Sequence, residues 1–166
     1  MFMIIRKAKS SDAREVIEIN IKTWNTTYKG IIPDYVLKQR EMLKEESIKK
    51  CEKTVELRDN VLVIEYDNKM VGVVSYGKAK LTDKEDYGEI YSLYVLNEYH
   101  GKNIGKSLFL AAREELVKKG YPKLILSCIK ANPSNGFYKK MGGKVERVII
   151  SNIGGAEIEE NVIVFD

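Results

Sequence analysis

The middle of the chain places a strand, a glycine-containing loop, an amphipathic helix and a second strand in succession, between residues 88 and 129. The stretch GEIYSLYVL predicts the first strand. After Gly105, KSLFLAAREELVKKG has a helical apolar stripe and a stop at Gly120. The following KLILSCI is nearly all apolar, as in a buried central strand. A strand–helix–strand unit of this kind favours a mixed sheet with helices on both faces.

The flanking segments predict one domain over residues 1–166. MIIRKA is a short strand candidate, and three helical pieces follow it before residue 60. NVLVIEYDNKMVGVVSYGKAK predicts a hairpin turning at Asp67 and Asn68, residue types that tolerate the positive φ of a tight turn. The last residues predict a second hairpin that turns near Gly154 and Gly155. The order is strand, helices, three strands, helix, strand, helix and two strands, which is an α/β (or α+β) chain.

The composition argues against several classes of protein. The net charge of +4 is mild and the lysines are spread along the chain, which favours solvated surface over a nucleic-acid site. No apolar run spans a bilayer, and MFMIIRKAKSSD does not have the form of a signal peptide. Two cysteines and one histidine form neither a disulfide framework nor a good zinc set. We therefore expect a cytoplasmic protein without a metal, a membrane or a nucleic-acid partner.

The loop HGKNIGK has the residues of a phosphate cradle. The N-terminus of a helix exposes unpaired N–H groups and a partial positive charge, which phosphate oxygens satisfy. Gly101 and Gly105 allow close approach of the backbone, and Lys102 and Lys106 add charge. Taken alone, the loop is weak evidence for a phosphate site, because most strand-to-helix turns with two glycines bind nothing.

Four segments in order give the loop a family context. HGKNIG resembles the acetyl-CoA signature of the GCN5-related N-acetyltransferase superfamily, with His100 in place of Gln or Arg and Asn103 in place of the first glycine. TWNTTYKGIIPDYVL, NPSNGFYKKMGG and IGGAEIEENVIVFD resemble other segments of one large branch. The resemblance implies a mostly antiparallel, seven-stranded mixed sheet flanked by about four helices. It also implies acetyl-CoA as co-substrate, with no metal.

The resemblance assigns site residues by their matching positions. A bulged fourth strand would pair its backbone with the pantetheine arm, with Leu93 N–H as oxyanion donor. Tyr138 would protonate the leaving sulfur; the other interpretation is that it packs its helix on the sheet. The implied cofactor set is Leu93, Tyr94, Val95, His100, Gly101, Lys102, Asn103, Ile104, Gly105, Lys106, Asn132 and Tyr138. Asn132 is equally suited to fixing a turn.

Acceptor-side residues are less determined by the sequence. Strict alternation places Glu89 on the same side of its strand as Leu93, where a carboxylate could relay the amine's proton through water; an exposed strand-end glutamate is the other interpretation. Trp24 and Tyr28 lie one helical turn apart, which usually means core packing. In the family, however, the loop after this helix covers the acceptor site, which makes both residues candidates for substrate contact.

Three functions compete at this level. The first is an acetyl-CoA-dependent N-acetyltransferase acting on a primary amine of a small molecule or peptide. The second is an acyl-CoA-binding sensor without catalysis, and the third is a nucleic-acid binder. The acceptor stays open among a polyamine, an aminoglycoside, an amino acid and a protein N-terminus. An acidic segment at Asp83, Glu85, Asp86 and Glu89 would suit a polyamine. A homodimer is possible because dimers are common in the family.

Overall fold

The computed structural model describes residues 2–166, which form seven strands and five α-helices. The predicted order of elements is confirmed throughout, and the helix count is close to the four that the family resemblance implies. In chain order the elements are β1 (Met3–Lys7), α1 (Ala13–Tyr28), α2 (Asp34–Met42), α3 (Lys44–Arg58), β2 (Val61–Tyr66), β3 (Lys69–Lys78), β4 (Gly88–Val95), α4 (Ile104–Lys118), β5 (Leu124–Ile129), α5 (Asn135–Lys140), β6 (Lys144–Ile153) and β7 (Ala156–Phe165).

All seven strands belong to one sheet, in the order β1-β2-β3-β4-β5-β7-β6. Every neighbouring pair is antiparallel except β4 and β5, which are parallel and are connected through α4. The predicted hairpin between β2 and β3 turns at Asp67 and Asn68, whose φ angles are 49° and 68°. Asp and Asn tolerate this left-handed region better than other non-glycine residues. The short-range turn signal therefore sets the register of this edge of the sheet.

Helices α1 and α4 cover opposite faces of the sheet. Leu93 lies on the α4 side, since a Cβ placed on Gly105 would be 4.0 Å from Leu93 Cδ2. The next residue, Tyr94, points the other way, and its hydroxyl accepts a hydrogen bond from Trp24 Nε1 of α1 at 2.9 Å. Successive side chains of a strand point to opposite faces. The two helices consequently enclose the centre of the sheet between them.

Helix α4 is held by the apolar stripe that its sequence predicts. Leu108, Phe109 and Ala112 are completely buried, and Leu116 is almost completely buried. Burying a leucine or phenylalanine side chain contributes about 1.5–3 kcal/mol. This packing fixes α4, and with it the loop that precedes α4, against the end of β4. In residues 2–166, no helix combines the length and the apolar character needed to cross a membrane.

Strands β4 and β5 separate soon after they meet. Only Gly88 with Leu124 and Glu89 with Ile125 are paired between them. From Ile90 onward, the edge of β4 that faces β5 has no partner strand within the described residues. Unpaired backbone groups at such an edge need hydrogen-bond partners. The gap between the two strands is therefore where this fold can accept an extended ligand.

Candidate active site

The gap between β4 and β5 opens into a cavity of about 590 Å³. Its walls come from β4 and β5, from the second half of α1, from the loop and first turn of α4, from α5, and from β6 and β7. A volume of this size falls in the range of small-molecule sites. Of the cofactor residues implied by the sequence, all but Lys102 line the cavity, as do Trp24 and Tyr28.

A bulge in β4 shapes one wall of the cavity. Tyr76 of β3 pairs with Ile90, while the preceding Ser75 pairs with Ser92, so that Tyr91 is the additional residue on β4. A bulge bends its strand and leaves one residue outside the regular ladder. The bulge that the family resemblance implies is present, two residues before Leu93.

The loop before α4 forms a cradle of unpaired donors. Gly101 and Asn103 have positive φ angles of 78° and 61°. Within residues 2–166, the backbone N–H groups of residues 101–106 donate to no acceptor, and the first donation in this region is from Ser107 N to Asn103 O at 3.0 Å. A row of orphan donors at the N-terminus of a 15-residue helix is a favourable anion site. The cradle fits the phosphates of a nucleotide cofactor.

Asn103 occupies the left-handed region that a glycine would occupy without strain. We expect the melting temperature of Asn103→Gly to lie within about 2 °C of that of the unchanged protein. The variant should bind the phosphate ligand at least as tightly as the unchanged protein does. Asn103→Ala is the matched comparison, because alanine at this φ costs about 1–2 kcal/mol. Thermal melting and ligand titration of both variants test this. A large loss of affinity in Asn103→Gly would show that the amide side chain itself binds the ligand.

His100 makes a structural contact at the start of the cradle. Its Nε2 lies 3.0 Å from the carbonyl oxygen of Val95. Because a carbonyl only accepts, Nε2 must carry the proton in this contact. The ring therefore ties the loop to the end of β4, and its possible contact with a phosphate stays a prediction.

Lysines are distributed unequally around the cradle. Lys106 lines the cavity, as does Lys140 at the end of α5. Lys102 does not, and its Nζ lies 5.8 Å from the ring centroid of Tyr66. Lys102 was predicted as a cofactor residue from its position in the loop, whereas Lys140 was not predicted. The only available signal for Lys140 was its position two residues after Tyr138.

Tyr138 lies at the cavity with a buried ring and an unpaired hydroxyl. It is 8% exposed and packs against Phe137 and Phe109, with ring centroids 5.2 and 6.4 Å away. No hydrogen bond to its hydroxyl occurs within the described chain. Burial raises the pKa of this phenol well above its ordinary value, and the neighbouring Cys128, Tyr28 and Tyr94 raise it further. The hydroxyl is therefore protonated at neutral pH and can act as a proton donor.

Among the described residues, Cys128 is the only thiol that lines the cavity. It is 5% exposed. Burial, followed by the negative charge of Glu160, raises its pKa to about 12. Only a thiolate is an effective nucleophile. A protonated Cys128 does not suit a covalent acyl-cysteine route and leaves direct attack by the acceptor as the simpler chemistry.

Trp24 and Tyr28 form a hydrogen-bonded wall on the α1 side of the cavity. Their ring centroids are 4.6 Å apart, and Trp24 is bonded to Tyr94 as described above. The guanidinium carbon of Arg40 lies 3.4 Å from the centroid of the Trp24 ring. Both aromatic residues are buried and both line the cavity. The two interpretations left open by the sequence, packing and substrate contact, are thus compatible in this structure.

Asn132 connects this wall to the loop before α5. Its Nδ2 donates to Tyr28 OH at 2.7 Å, and its Oδ1 accepts from Ser134 N at 2.8 Å. Asn135, which sequence reasoning missed, donates from Nδ2 to the carbonyls of Ile129, Lys130 and Asn132. Both side-chain groups of Asn132 are therefore engaged within the protein. In this structure the Asn132 side chain fixes the turn before α5 through its hydrogen bond from Ser134 N.

Glu89 is not placed where simple alternation puts it. The bulge at Tyr91 shifts the pattern, so that Glu89 and Leu93 face opposite sides of the sheet. Glu89 is 9% exposed, its Oε1 accepts from Lys80 N at 2.9 Å, and it does not line the cavity. Burial raises its pKa above the ordinary glutamate value. The expectation of a shared face with Leu93 is wrong, because alternation does not continue through a bulge.

A different glutamate reaches the cavity. Within residues 2–166, Glu160 of β7 is the only acidic side chain that lines it. Asp83, from the acidic segment of the sequence, instead pairs with Arg147 at 2.7 Å. Within residues 2–166, no group of three or more His, Cys, Asp or Glu side chains could hold a metal ion.

Comparison with known proteins agrees with this geometry. Residues 12–143 match the acetyltransferase (GNAT) family. The chain belongs to this family. The family and enzyme class indicated by the sequence are thereby confirmed.

Individual relatives match along most of their length. The uncharacterized N-acetyltransferase YuaI of Bacillus subtilis is 28% identical over 160 residues, which cover 94% of this chain and 88% of the relative. The spermidine N(1)-acetyltransferase of Thermoplasma acidophilum is 28% identical over 151 residues, covering 88% and 91%.

The solved structures include a PaiA N-acetyltransferase from Thermoplasma acidophilum in complex with coenzyme A. It superposes with a TM-score of 0.76 at 24% identity, over 100% of this chain and 99% of that one. At this level of identity the similarity supports the fold, and the predicted seven-stranded acetyltransferase fold is confirmed.

Proposed function

We propose that the protein is an acetyl-CoA-dependent N-acetyltransferase that transfers an acetyl group to a primary amine of a small molecule or peptide. One observation carries the proposal: the cradle of unpaired N–H groups at residues 101–106 and the unpaired hydroxyl of Tyr138 belong to the same cavity. The unpaired edge of β4 lies in the same wall, within the gap between β4 and β5. The similarity to the spermidine N(1)-acetyltransferase of Thermoplasma acidophilum supports a small amine as the acceptor.

The donor end of the cavity holds the cofactor. The N–H groups of the cradle bind pyrophosphate oxygens, with Lys106 and Lys140 adding positive charge. The unpaired edge of β4, which includes the N–H of Val95, provides backbone groups for the amide-containing arm of the cofactor, as an added strand would. Leu93 N–H is the donor proposed for the carbonyl oxygen of the acetyl group. Acetyl-CoA, when bound, supplies the acetyl group as a thioester.

The environment of Tyr138 supports its proposed role as the acid. A donor must hold its proton until the sulfur leaves, and the raised pKa of this phenol ensures that it does. Burial at this place also disfavours a charged thiolate, so the departing sulfur of the cofactor is more basic there than in water. The hydroxyl gives its proton to the sulfur and regains one from the amine nitrogen as the amide forms. Trp24 and Tyr28 form the proposed acceptor wall.

Cofactor binding is the first test of this proposal. We expect acetyl-CoA and free CoA to bind in the presence of a metal chelator, because the cradle consists of backbone donors and lysines. Isothermal titration calorimetry with and without the chelator measures this. Absence of binding at millimolar cofactor would overturn the proposed function.

Turnover separates the enzyme from a sensor. A panel of a polyamine, an aminoglycoside, an amino acid and a peptide N-terminus, monitored by release of free thiol, should contain at least one acceptor. Binding of acetyl-CoA without turnover on any acceptor would favour the acyl-CoA-sensing alternative. The single domain of residues 1–166, the cytoplasmic setting and a homodimer are further parts of this proposal, which gel filtration and cell fractionation test.

A further inference from the structure

Glu160 is a carboxylate at the cavity without a partner in the protein. It lies on β7 opposite Ile129 of β5, next to Cys128, and it is half-buried. Within residues 2–166, its carboxylate pairs with no lysine, arginine or histidine and accepts no hydrogen bond, since the nearby Lys130 pairs with Glu159. The preceding residue, Glu159, is exposed and pairs with Lys130 at 3.4 Å. A partly desolvated charge is costly when it is unpaired, which makes Glu160 a favourable site for a ligand cation.

The basic and acidic side chains that line the cavity come from different elements of the fold. Lys106, at the cradle, and Lys140, at the end of α5, are the lysines among the lining residues. Glu160 belongs to the wall formed by β5 and β7, beside Cys128 and Ile129. The lysines at the cradle and on α5 suit an anionic donor, and the carboxylate of β7 suits a cationic acceptor. An acceptor with a carboxylate near its amine would meet the charge of Glu160 unfavourably.

The chemistry of the acceptor restricts what Glu160 can usefully bind. The reacting nitrogen must be neutral when it attacks, and an alkylammonium with a pKa of about 10 must first lose a proton. A carboxylate paired with that nitrogen would stabilise its charged, unreactive form. Such an interaction favours the ground state and does not accelerate the reaction. A second ammonium group that keeps its charge throughout the reaction has no such disadvantage.

We propose that Glu160 binds a second, non-reacting ammonium group of the acceptor, and that the acceptor is therefore an alkyl diamine or polyamine. This inference rests on the proposed acetyltransferase function and specifies its substrate class. Glu160 acts as a specificity-determining residue: it positions the acceptor through a charge that takes no part in the bond being formed. The buried aromatic residues Tyr28 and Trp24 line the same cavity and provide apolar surface for the methylene chain between two amines.

A comparison of diamines with a monoamine of matched length tests the proposal. Propane-1,3-diamine, butane-1,4-diamine and pentane-1,5-diamine are compared with butylamine, which lacks the second charge. We expect kcat/KM for the best diamine to exceed that for butylamine by about tenfold or more, equivalent to about 1.4 kcal/mol. In Glu160→Gln this preference should fall to within about twofold, mainly through a higher KM for the diamine. The affinity for acetyl-CoA should be unchanged.

Two controls make the result specific. Glu159→Gln removes the adjacent, exposed carboxylate and should keep the full diamine preference. Glu160→Asp retains the charge and should restore part of the preference lost in Glu160→Gln. Equal kcat/KM for diamines and butylamine in the unchanged protein would overturn the proposal, as would a preference that persists in Glu160→Gln or is lost equally in Glu159→Gln. Failure of the proposed function has a different signature, since no amine would then be acetylated by the unchanged protein.

Discussion

Tyr138→Phe should lower turnover by roughly ten- to a thousandfold, the range expected for loss of a general acid. The substitution removes the hydroxyl and keeps the ring that packs against Phe109 and Phe137. The affinity for acetyl-CoA should change little, because the hydroxyl acts mainly as the C–S bond breaks. Steady-state kinetics on the best amine, cofactor titration and thermal melting of both proteins measure the three quantities.

Other roles for Tyr138 give other patterns. If the residue only packs its helix, activity should fall in proportion to the loss of folded protein, with a lower melting temperature. Since Tyr138 OH has no hydrogen-bond partner in the described chain, its removal should not destabilise the fold by leaving another buried group unpaired. Unchanged turnover in Tyr138→Phe would remove this residue from the catalytic machinery and leave ordered water as the proton donor.

Gly105→Glu should reduce the affinity for acetyl-CoA by about a hundredfold or more, because like charges brought together at a binding site cost several kcal/mol. A Cβ at this position would lie 3.7 Å from Phe137 Cζ and 3.9 Å from Val95 Cγ2, which are ordinary contacts. The remaining side-chain atoms and the carboxylate would occupy the cavity at the cradle. Folding should not suffer, since an acidic residue in the first turn of a helix is favourable by about 0.3–1 kcal/mol.

Ser107→Glu is the matched control for this variant. Ser107 lies in the same first turn of α4 but does not line the cavity. The Ser107→Glu variant should retain most of the affinity for acetyl-CoA, although it carries the same added charge as Gly105→Glu. Calorimetry gives both affinities, and thermal melting verifies that both variants fold. If Gly105→Glu binds acetyl-CoA as tightly as the unchanged protein, the pyrophosphate is held elsewhere and the cradle is an ordinary turn.

Local patterns determined much of this protein. The turn at Asp67 and Asn68, the apolar stripe of α4 and the apolar run of β5 each predict their element without knowledge of distant residues. The left-handed conformation of Asn103 was similarly indicated by its residue type, because Asn is among the few side chains that adopt it readily. In these cases the relevant forces act between residues a few positions apart.

The acidic residue at the site was decided only by the tertiary structure. Glu89 was selected by alternation along one strand, yet the bulge opposite Ser75 and Tyr76 turns it away from Leu93. Glu160 carried no local signal, because its place at the cavity depends on the pairing of β7 with β5, strands about 30 residues apart in the chain. Lys140 reaches the same cavity from α5. The sequence alone determined the elements and the left-handed loop before α4, whereas the orientation of strand side chains and the charges that meet in the cavity followed from long-range pairing.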